Sequence, residues 1–247
     1  MKYFFLTLMA TLALTASAAE LKLLDYDWKL TDISEKGLNK EALFSRMDRE
    51  FVKTKSSICS NRAHMWANDF KRKHNLDTAK IFIFFTSEEK PEGELNISLR
   101  KTWWYHVAPI INDKGDMWVM DAGFKYIKNP MTIPEWTQKF AFSQNCKEIK
   151  ASETELVELI FREKTFPRNT AYGHYTCYYK ITPHPIWIPE ILARNLLGVD
   201  RNGTPVHVER PEIDKGELYQ ACLEATAGRI GRALGGSKKQ CEEYVNL

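Results

Sequence analysis

Three short motifs place a thiol, an imidazole and a carboxylate in regular secondary structure, and they constrain the fold more than any other feature of this sequence. Cys59 opens the run CSNRAH, after which apolar residues continue at helical spacing. His106 lies in the strand-like run WWYHVA, and Asp121 ends the next strand-like run. A cysteine, a histidine and an acid in such positions are the components of an activated cysteine nucleophile. The sequence therefore predicts one catalytic site that a helix start and two strands assemble.

The spacing of these motifs favours an α+β fold. The turn-like sequence NDKG lies between two strand candidates, 103–111 and 117–120, which predicts an antiparallel hairpin. With the turn centred near residues 113 and 114, His106 and Asp121 lie almost opposite each other. A cysteine near a helix amino terminus gains thiolate character, because unpaired amides and the macrodipole favour negative charge there. This arrangement matches a papain/transglutaminase-like core, in which a nucleophile-bearing helix packs on an antiparallel sheet.

Weaker patterns extend this interpretation along the chain. Residues 20–55 are predicted to be an amino-terminal helical segment or a short pro-segment, and 56–247 a catalytic domain with a disulfide-stapled carboxyl-terminal extension. Further predicted elements are helices at 40–51, 133–142, 153–162 and 215–233, and strands at 81–85, 95–99 and 175–181.

Residues 1–19 have the composition of a secretory signal peptide. Lys2 precedes the apolar stretch Tyr3–Leu14, and the small residues ASAA follow it. That stretch is well short of the roughly 20 apolar residues that span a bilayer. No comparable run follows it in the sequence. We therefore expect a secreted or periplasmic protein that has no membrane association after signal cleavage.

The five cysteines are an odd number for an exported chain. Cys59 is the natural residue to remain unpaired. The other four permit three pairings, among which the sequence does not decide. We favour the two sequence-local closures, which are Cys146 with Cys177 and Cys222 with Cys241.

Charge and histidine spacing argue against two other classes of function. The net charge is only +3, and no concentrated basic stripe marks a nucleic-acid interface. Zinc binding by a set of cysteine and histidine residues lacks any recognised ligand spacing; that set is Cys59, His64, His74 and His106. His64 follows the cysteine by five positions, so on a helix it points away from the sulfur and is expected to pack. We expect neither a metal nor a cofactor.

The motifs resemble those of the bacterial secreted protein-glutaminases, also called protein-glutamine deamidases. CSNRAH is similar to the family's Cys-x-x-Arg-Ala-His motif, the segment around His106 to its Tyr-His-Val-Ala, and Met120-Asp121 to its Ile-Asp. The likeness covers roughly residues 59–183. Two departures are Ala122, where the family tends to have proline, and the lack of a counterpart for 184–247.

This resemblance implies hydrolysis of the side-chain amide of glutamine in proteins or peptides by a monomer without a cofactor. Cys59 would form a thioester, His106 would act as general acid and base, and Asp121 would orient the imidazole. Trp104 and Tyr105 are candidate substrate-binding residues. Trp104 shares the strand face of His106, although a place in the core fits it equally well.

Three alternatives stay open at the level of sequence. A thioester attacked by lysine rather than water would make the enzyme a transglutaminase. The same core could cleave backbone amides as a cysteine peptidase. A non-enzymatic alternative is an exported binding module in which Cys59 is structural.

Overall fold

The computed structural model is an α+β fold built on one six-stranded sheet. It describes residues 29–47, 59–85, 105–124, 127–140, 146–150, 177–186, 192, 214–226 and 236–246. The strands are β1 (Ala79–Phe85), β2 (Tyr105–Asp113), β3 (Asp116–Val119), β4 (Met131–Thr132), β5 (Lys147–Glu148) and β6 (Cys177–Pro183). They lie side by side in the order β4-β3-β2-β1-β6-β5. The predicted fold class is confirmed.

Five α-helices and a short 3-10 turn surround the sheet in the described part of the chain. They are α1 (Lys40–Arg46), α2 (Cys59–His74), α3 (Ile133–Phe140), α4 (Lys215–Thr226) and α5 (Gly236–Asn246), with the turn at Ser34–Lys36. The helix predicted over 40–51 ends early, because Met47 adopts an extended backbone conformation. The helix predicted at 153–162, the strand predicted at 95–99 and the predicted signal peptide at 1–19 lie outside the described residues.

The sheet is antiparallel except at one edge. Four strand pairs are antiparallel, as predicted, whereas β5 and β6 run parallel. A disulfide joins Cys146, which directly precedes β5, to Cys177, the first residue of β6. Because this bond holds the two strands together at their starting ends, they leave it in the same direction.

The β2–β3 hairpin is confirmed, but its turn lies one residue later than expected. Asp113 pairs with Asp116, so the loop consists of Lys114 and Gly115. Both have positive φ, 57° and 89°, as a type I′ turn requires. The Asn112 side chain accepts a hydrogen bond from the Gly115 N–H at 2.9 Å. This turn type matches the right-handed twist of the strands and fixes their register.

Helix α2 lies between the sheet and the two carboxyl-terminal helices. One of its faces places Trp66 and Phe70 in the main core with Ile81 and Ile83 of β1. The opposite side receives Met65, which packs with the cysteines of the second disulfide. Both cysteine pairs of the structure, Cys146 with Cys177 and Cys222 with Cys241, are those favoured from the sequence.

The amino-terminal segment is packed into the same core as the sheet. Leu43 and Phe44 of α1 are almost fully buried within it. Nζ of Lys40 lies 2.8 Å from the Asp113 carboxylate and 4.3 Å from the centre of the Trp118 ring. In the described residues, every helix is too short or too polar to cross a membrane.

Candidate active site

His106 and Asp121 form a buried pair. Nε2 of His106 lies 2.8 Å from Oδ2 of Asp121, and each side chain is 1% exposed. His106 is the second residue of β2, while Asp121 lies two positions beyond the end of β3. Because Val119 pairs with Ile110, a continued ladder would place Asp121 beside Ala108. The carboxylate therefore reaches the imidazole diagonally, from the same face of the sheet.

Cys59 completes the group as the first residue of α2. It is 6% exposed, and its thiol lies close enough to His106 for each group to shift the pKa of the other. Since Nε2 of His106 is engaged by Asp121, Nδ1 is the ring nitrogen that serves the sulfur. The Val107 backbone N–H also donates to the sulfur. The structure thus brings the three residues predicted to be catalytic into one buried group.

The electrostatics of this group favour a thiolate and an imidazolium. Burial alone would raise the pKa of Cys59, but the neighbouring His106, with the charge of Arg62 nearby, brings that pKa below its usual value. Burial would lower the pKa of His106, yet the Asp121 carboxylate and Cys59 raise it to about 9. A lowered thiol pKa beside an imidazole pKa of about 9 favours the state in which the proton resides on the imidazole.

The Asp121 carboxylate accepts three N–H groups. Oδ2 accepts from His106 and from the indole Nε1 of Trp136, the latter at 2.9 Å, and Oδ1 accepts from the Gly123 N–H at 3.1 Å. Burial would raise the pKa of Asp121, but the charge of His106 and these three donors lower it. Asp121 is therefore ionised although it is sealed from water.

Aromatic rings enclose the imidazole. The ring centres of Phe124, Phe140 and Trp136 lie 4.9, 5.2 and 5.9 Å from that of His106. These contacts restrict rotation of the imidazole and exclude water from the ion pair, which strengthens it.

Two residues near the triad were assigned no role from the sequence. Arg62 follows Cys59 by one helical turn, and that spacing was a usable signal. Its guanidinium lies beside Gly123, where an added Cβ would come 3.3 Å from Nη2. Trp136 carried no comparable signal, because only the tertiary position of α3 brings its indole to Asp121.

Of the two predicted substrate-binding residues, Tyr105 lies in the described part of the chain and Trp104 does not. Tyr105 is half-buried at the start of β2, and its hydroxyl lies 3.4 Å from Oγ of Ser60, the residue after the candidate nucleophile. Its ring stacks near Phe82 on the sheet face opposite His106. Trp104 lies outside the described residues. The binding role of both remains a prediction.

His64 belongs to a second buried cluster, away from the sulfur as expected. Its Nδ1 lies 2.6 Å from Nζ of Lys80, which also donates to the Ile186 carbonyl at 2.8 Å. The ring of His184 is 5.5 Å away. Burial, the largest cause, holds the pKa of Lys80, His64 and His184 well below their usual values. Burial thus disfavours the charged form of all three neighbouring bases.

The zinc alternative considered from the sequence is not assembled in the described residues. Nowhere in the described ranges do three or more histidine, cysteine, aspartate or glutamate side chains converge as metal ligands would. His64 faces Lys80, whereas His106 faces Asp121 and Cys59.

Comparison with known proteins adds a family. Residues 38–140 match the family model described as Glutaminase. Among solved structures, the NMR structure of the protein-glutaminase from Chryseobacterium proteolyticum is similar, with 14% identity and a TM-score of 0.38. That alignment covers 80% of this chain and 87% of the other. No curated protein sequence matches the chain.

The family match includes the start of α2 and the hairpin, and so contains all three residues of the buried group. It favours an enzyme over the binding module that the sequence also allowed. Over residues 38–140 the chain is therefore similar to the glutaminase family, and the protein is a hydrolase that acts on the amide C–N bond of glutamine.

Proposed function

We propose that the protein is an exported protein-glutamine deamidase that works through a thioester on Cys59. The observation that carries this proposal is the buried group of sulfur, imidazole and carboxylate at Cys59, His106 and Asp121, in which His106 and Asp121 are hydrogen bonded. A low-pKa thiol beside an imidazolium is the arrangement that attacks carboxamides in cysteine-dependent amidohydrolases.

In the first half of the reaction the Cys59 thiolate attacks the carboxamide carbon of glutamine. The tetrahedral oxyanion that results is stabilised by backbone N–H groups of the first turn of α2, including that of Cys59. His106 gives its Nδ1 proton to the departing nitrogen. The C–N bond breaks, ammonia leaves, and the glutamyl group remains on sulfur as a thioester.

In the second half, His106 is a neutral imidazole and acts as a base. It removes a proton from water, which attacks the thioester carbonyl, and the C–S bond then breaks to give glutamate and the thiolate. Asp121 keeps the imidazole in the required tautomer throughout, because its carboxylate accepts a hydrogen bond from the Nε2–H group. No step of this sequence requires a cofactor.

Substrates are proposed to be glutamine residues of proteins or peptides rather than the free amino acid. This part of the proposal follows from the resemblance of the CSNRAH and YHVA motifs to the protein-glutaminases. Export is supported by the two disulfides, which fit an oxidising compartment. Export with cleavage of the predicted signal peptide predicts that the secreted or periplasmic protein begins at Glu20. Amino-terminal sequencing of fractionated cells would detect this.

The central test is ammonia release from a casein-like protein by the wild type and by Cys59→Ala. We expect ammonia from the wild type alone, together with a gain of about one dalton in intact substrate mass per event. Equal ammonia release by both proteins, or none by either after any pro-segment is removed, would refute the proposal.

The same samples separate the two chemically related enzymes. Cross-linked ladders on a denaturing gel would identify lysine as the acyl acceptor and therefore a transglutaminase. Fragments of lower mass would identify a peptidase. The deamidase predicts neither product.

A further inference from the structure

Trp136 shares an acceptor atom with the imidazole of the candidate active site. Its Nε1 donates to Oδ2 of Asp121 at 2.9 Å, and Nε2 of His106 lies 2.8 Å from the same oxygen. The Trp136 side chain is completely buried. A tryptophan N–H can only donate, so this contact exists only while Oδ2 is an acceptor.

The indole is held by the same part of the fold that carries Asp121. Helix α3 starts directly after β4, and Thr132 of β4 pairs with β3, which leads to Asp121. Glu135 accepts hydrogen bonds from the N–H and hydroxyl of Thr132 at 2.9 and 2.8 Å, which fixes the start of α3. Phe140 packs edge-on against the indole with ring centres 4.9 Å apart. The donor is therefore rigid relative to the carboxylate.

The catalytic cycle gives this donor a specific use. While His106 is an imidazolium, its charge compensates the Asp121 carboxylate. After His106 has protonated the leaving ammonia it is neutral, and the carboxylate is left in a water-excluded site. A buried carboxylate without adequate donors takes up a proton. The N–H groups of Trp136 and Gly123 are the donors that do not change between the two states.

We propose that Trp136 is a positioning residue for the reaction, whose indole N–H holds the Asp121 carboxylate ionised and oriented when His106 is neutral. This inference rests on the proposed function. The Nε2 proton of His106 then stays on nitrogen, and only Nδ1 exchanges protons with sulfur, ammonia and water. Trp136 contacts neither the sulfur nor the substrate in this scheme.

The test replaces the indole N–H and preserves ring packing as far as possible. Trp136→Phe is the simple variant, and benzothienylalanine at position 136 is a near-isostere that has sulfur in place of N–H. Trp118→Phe is the matched control, since Trp118 is a half-buried tryptophan whose N–H has no hydrogen-bond partner among the described residues. Ammonia release gives kcat and KM from pH 4 to 10, and iodoacetamide labelling of Cys59 is followed over the same range.

We expect both changes at position 136 to lower kcat by about 10- to 100-fold with KM changed less than about twofold, because a hydrogen bond to a buried charge is lost. The acid limb of kcat/KM and of Cys59 labelling moves to higher pH, because the carboxylate is protonated more readily. Trp118→Phe behaves as the wild type.

An unchanged kcat and acid limb in the isosteric variant would overturn the inference. So would a loss of activity that is the same at every pH and follows the loss of thermal stability, since that is the signature of packing alone. If the wild type released no ammonia, the proposed function would fail, yet the labelling profile of Cys59 would still report on Trp136.

Discussion

The Asp121 carboxylate contacts His106, although a continued β2–β3 ladder would place Asp121 opposite Ala108, two residues further along β2. Asp121 itself lies beyond the end of β3. The 2.8 Å contact is therefore diagonal, and the turn that follows β3 aims the side chain. Gly123 donates its N–H to Oδ1 and closes this turn at 3.1 Å. The candidate catalytic pair thus depends on the chain just outside the sheet as much as on the strands themselves.

Asp121→Asn should keep the shape of the pair but remove its charge. We expect kcat to fall by about 100- to 10,000-fold, as tautomer control and imidazolium stabilisation are lost. The Asp121 charge raises the pKa of His106 to about 9, so the alkaline limb of the pH–rate profile should move to lower pH in the variant. Ammonia release between pH 5 and 10 measures both effects. Asp116→Asn, in the exposed hairpin turn, is the matched control, and an equal loss of activity there would contradict this assignment.

Gly123→Ala should disturb the active site without unfolding the protein. The new Cβ would lie 3.0 Å from Oδ1 of Asp121 and 3.3 Å from Nη2 of Arg62, so one of the two must move. We expect kcat to fall by about tenfold, roughly the effect of losing one hydrogen bond to a charged group.

Gly216→Ala is the control for that substitution. Its Cβ would meet the Asp214 carboxylate at 2.9 Å at the start of α4, an equally close contact away from the triad. Thermal melting and ammonia release are measured on both variants. If both lost activity equally, the contact of Gly123 with the active site would not be the cause.

Cys59 should be alkylated by iodoacetamide at neutral and mildly acidic pH. Burial would raise its pKa, but the neighbouring His106 outweighs burial and lowers it. The other four cysteines are in disulfides, so labelling of the non-reduced protein counts a single site. His106→Gln should shift the labelling profile toward that of an ordinary thiol, with a midpoint near roughly pH 8.5 or above. Labelling that is slow below pH 8 in the wild type would contradict the ion pair.

Stability should fall on acidification because of the second buried cluster. Burial holds the pKa values of His64 and His184 well below the usual range. Below about pH 6.5 the unfolded chain therefore binds protons at these histidines that the folded chain does not bind. Each histidine then removes up to about 1.4 kcal/mol of unfolding free energy per pH unit.

Other groups near this cluster modify that slope. The lowered pKa of Lys80 also makes stability fall on acidification, over a wider pH range. The charge of Glu217 reduces this effect, because it raises the pKa of Lys80. Lys71 reinforces the shift at His184. His106 has the opposite sign, because its raised pKa adds stability below about pH 6.5 that is lost as the pH rises through about 9.

His184→Gln isolates one of these titrations. Urea unfolding at pH 6.5, 5.5 and 4.5 should show a shallower fall of stability in this variant, by up to about 1.4 kcal/mol per pH unit. His74→Gln, a half-buried position at the end of α2, is the control for removal of a histidine outside this cluster. Parallel slopes for the wild type and His184→Gln would show that this histidine is not the cause.

Sequence patterns predicted which side chains come together at the candidate site better than the geometry of their contacts. The NDKG sequence identified the hairpin, but several two-residue loops fit that composition, and positive φ at Lys114 and Gly115 selected the later one. The later turn shifts the β2–β3 register, so that the position opposite His106 changes by two residues. An even shift keeps a side chain on its face, whereas a single-residue shift would have moved Asp121 to the other side. The prediction of a His106–Asp121 contact therefore tolerated the register error.

Contacts between distant elements were beyond a single sequence. The helix that contains Trp136 was expected from its apolar spacing, but its approach to Asp121 depends on how β4 pairs with β3. The burial of Lys80 was likewise hidden, because a lysine in a strand is more often exposed. Such residues become recognisable only when their neighbours across the sheet are known.

The packing of α1 into the core of the sheet limits where proteolytic processing can cut this enzyme. Proteolytic cleavage between α1 and α2, with release of the preceding peptide, would remove Leu43 and Phe44 from the core. The apolar side chains that pack against them would then be exposed to solvent. Burial of each such side chain is worth about 1.5–3 kcal/mol, so the trimmed product would be substantially less stable. Any natural processing site compatible with a durable enzyme should therefore lie upstream of Ile33, which occupies the same interior.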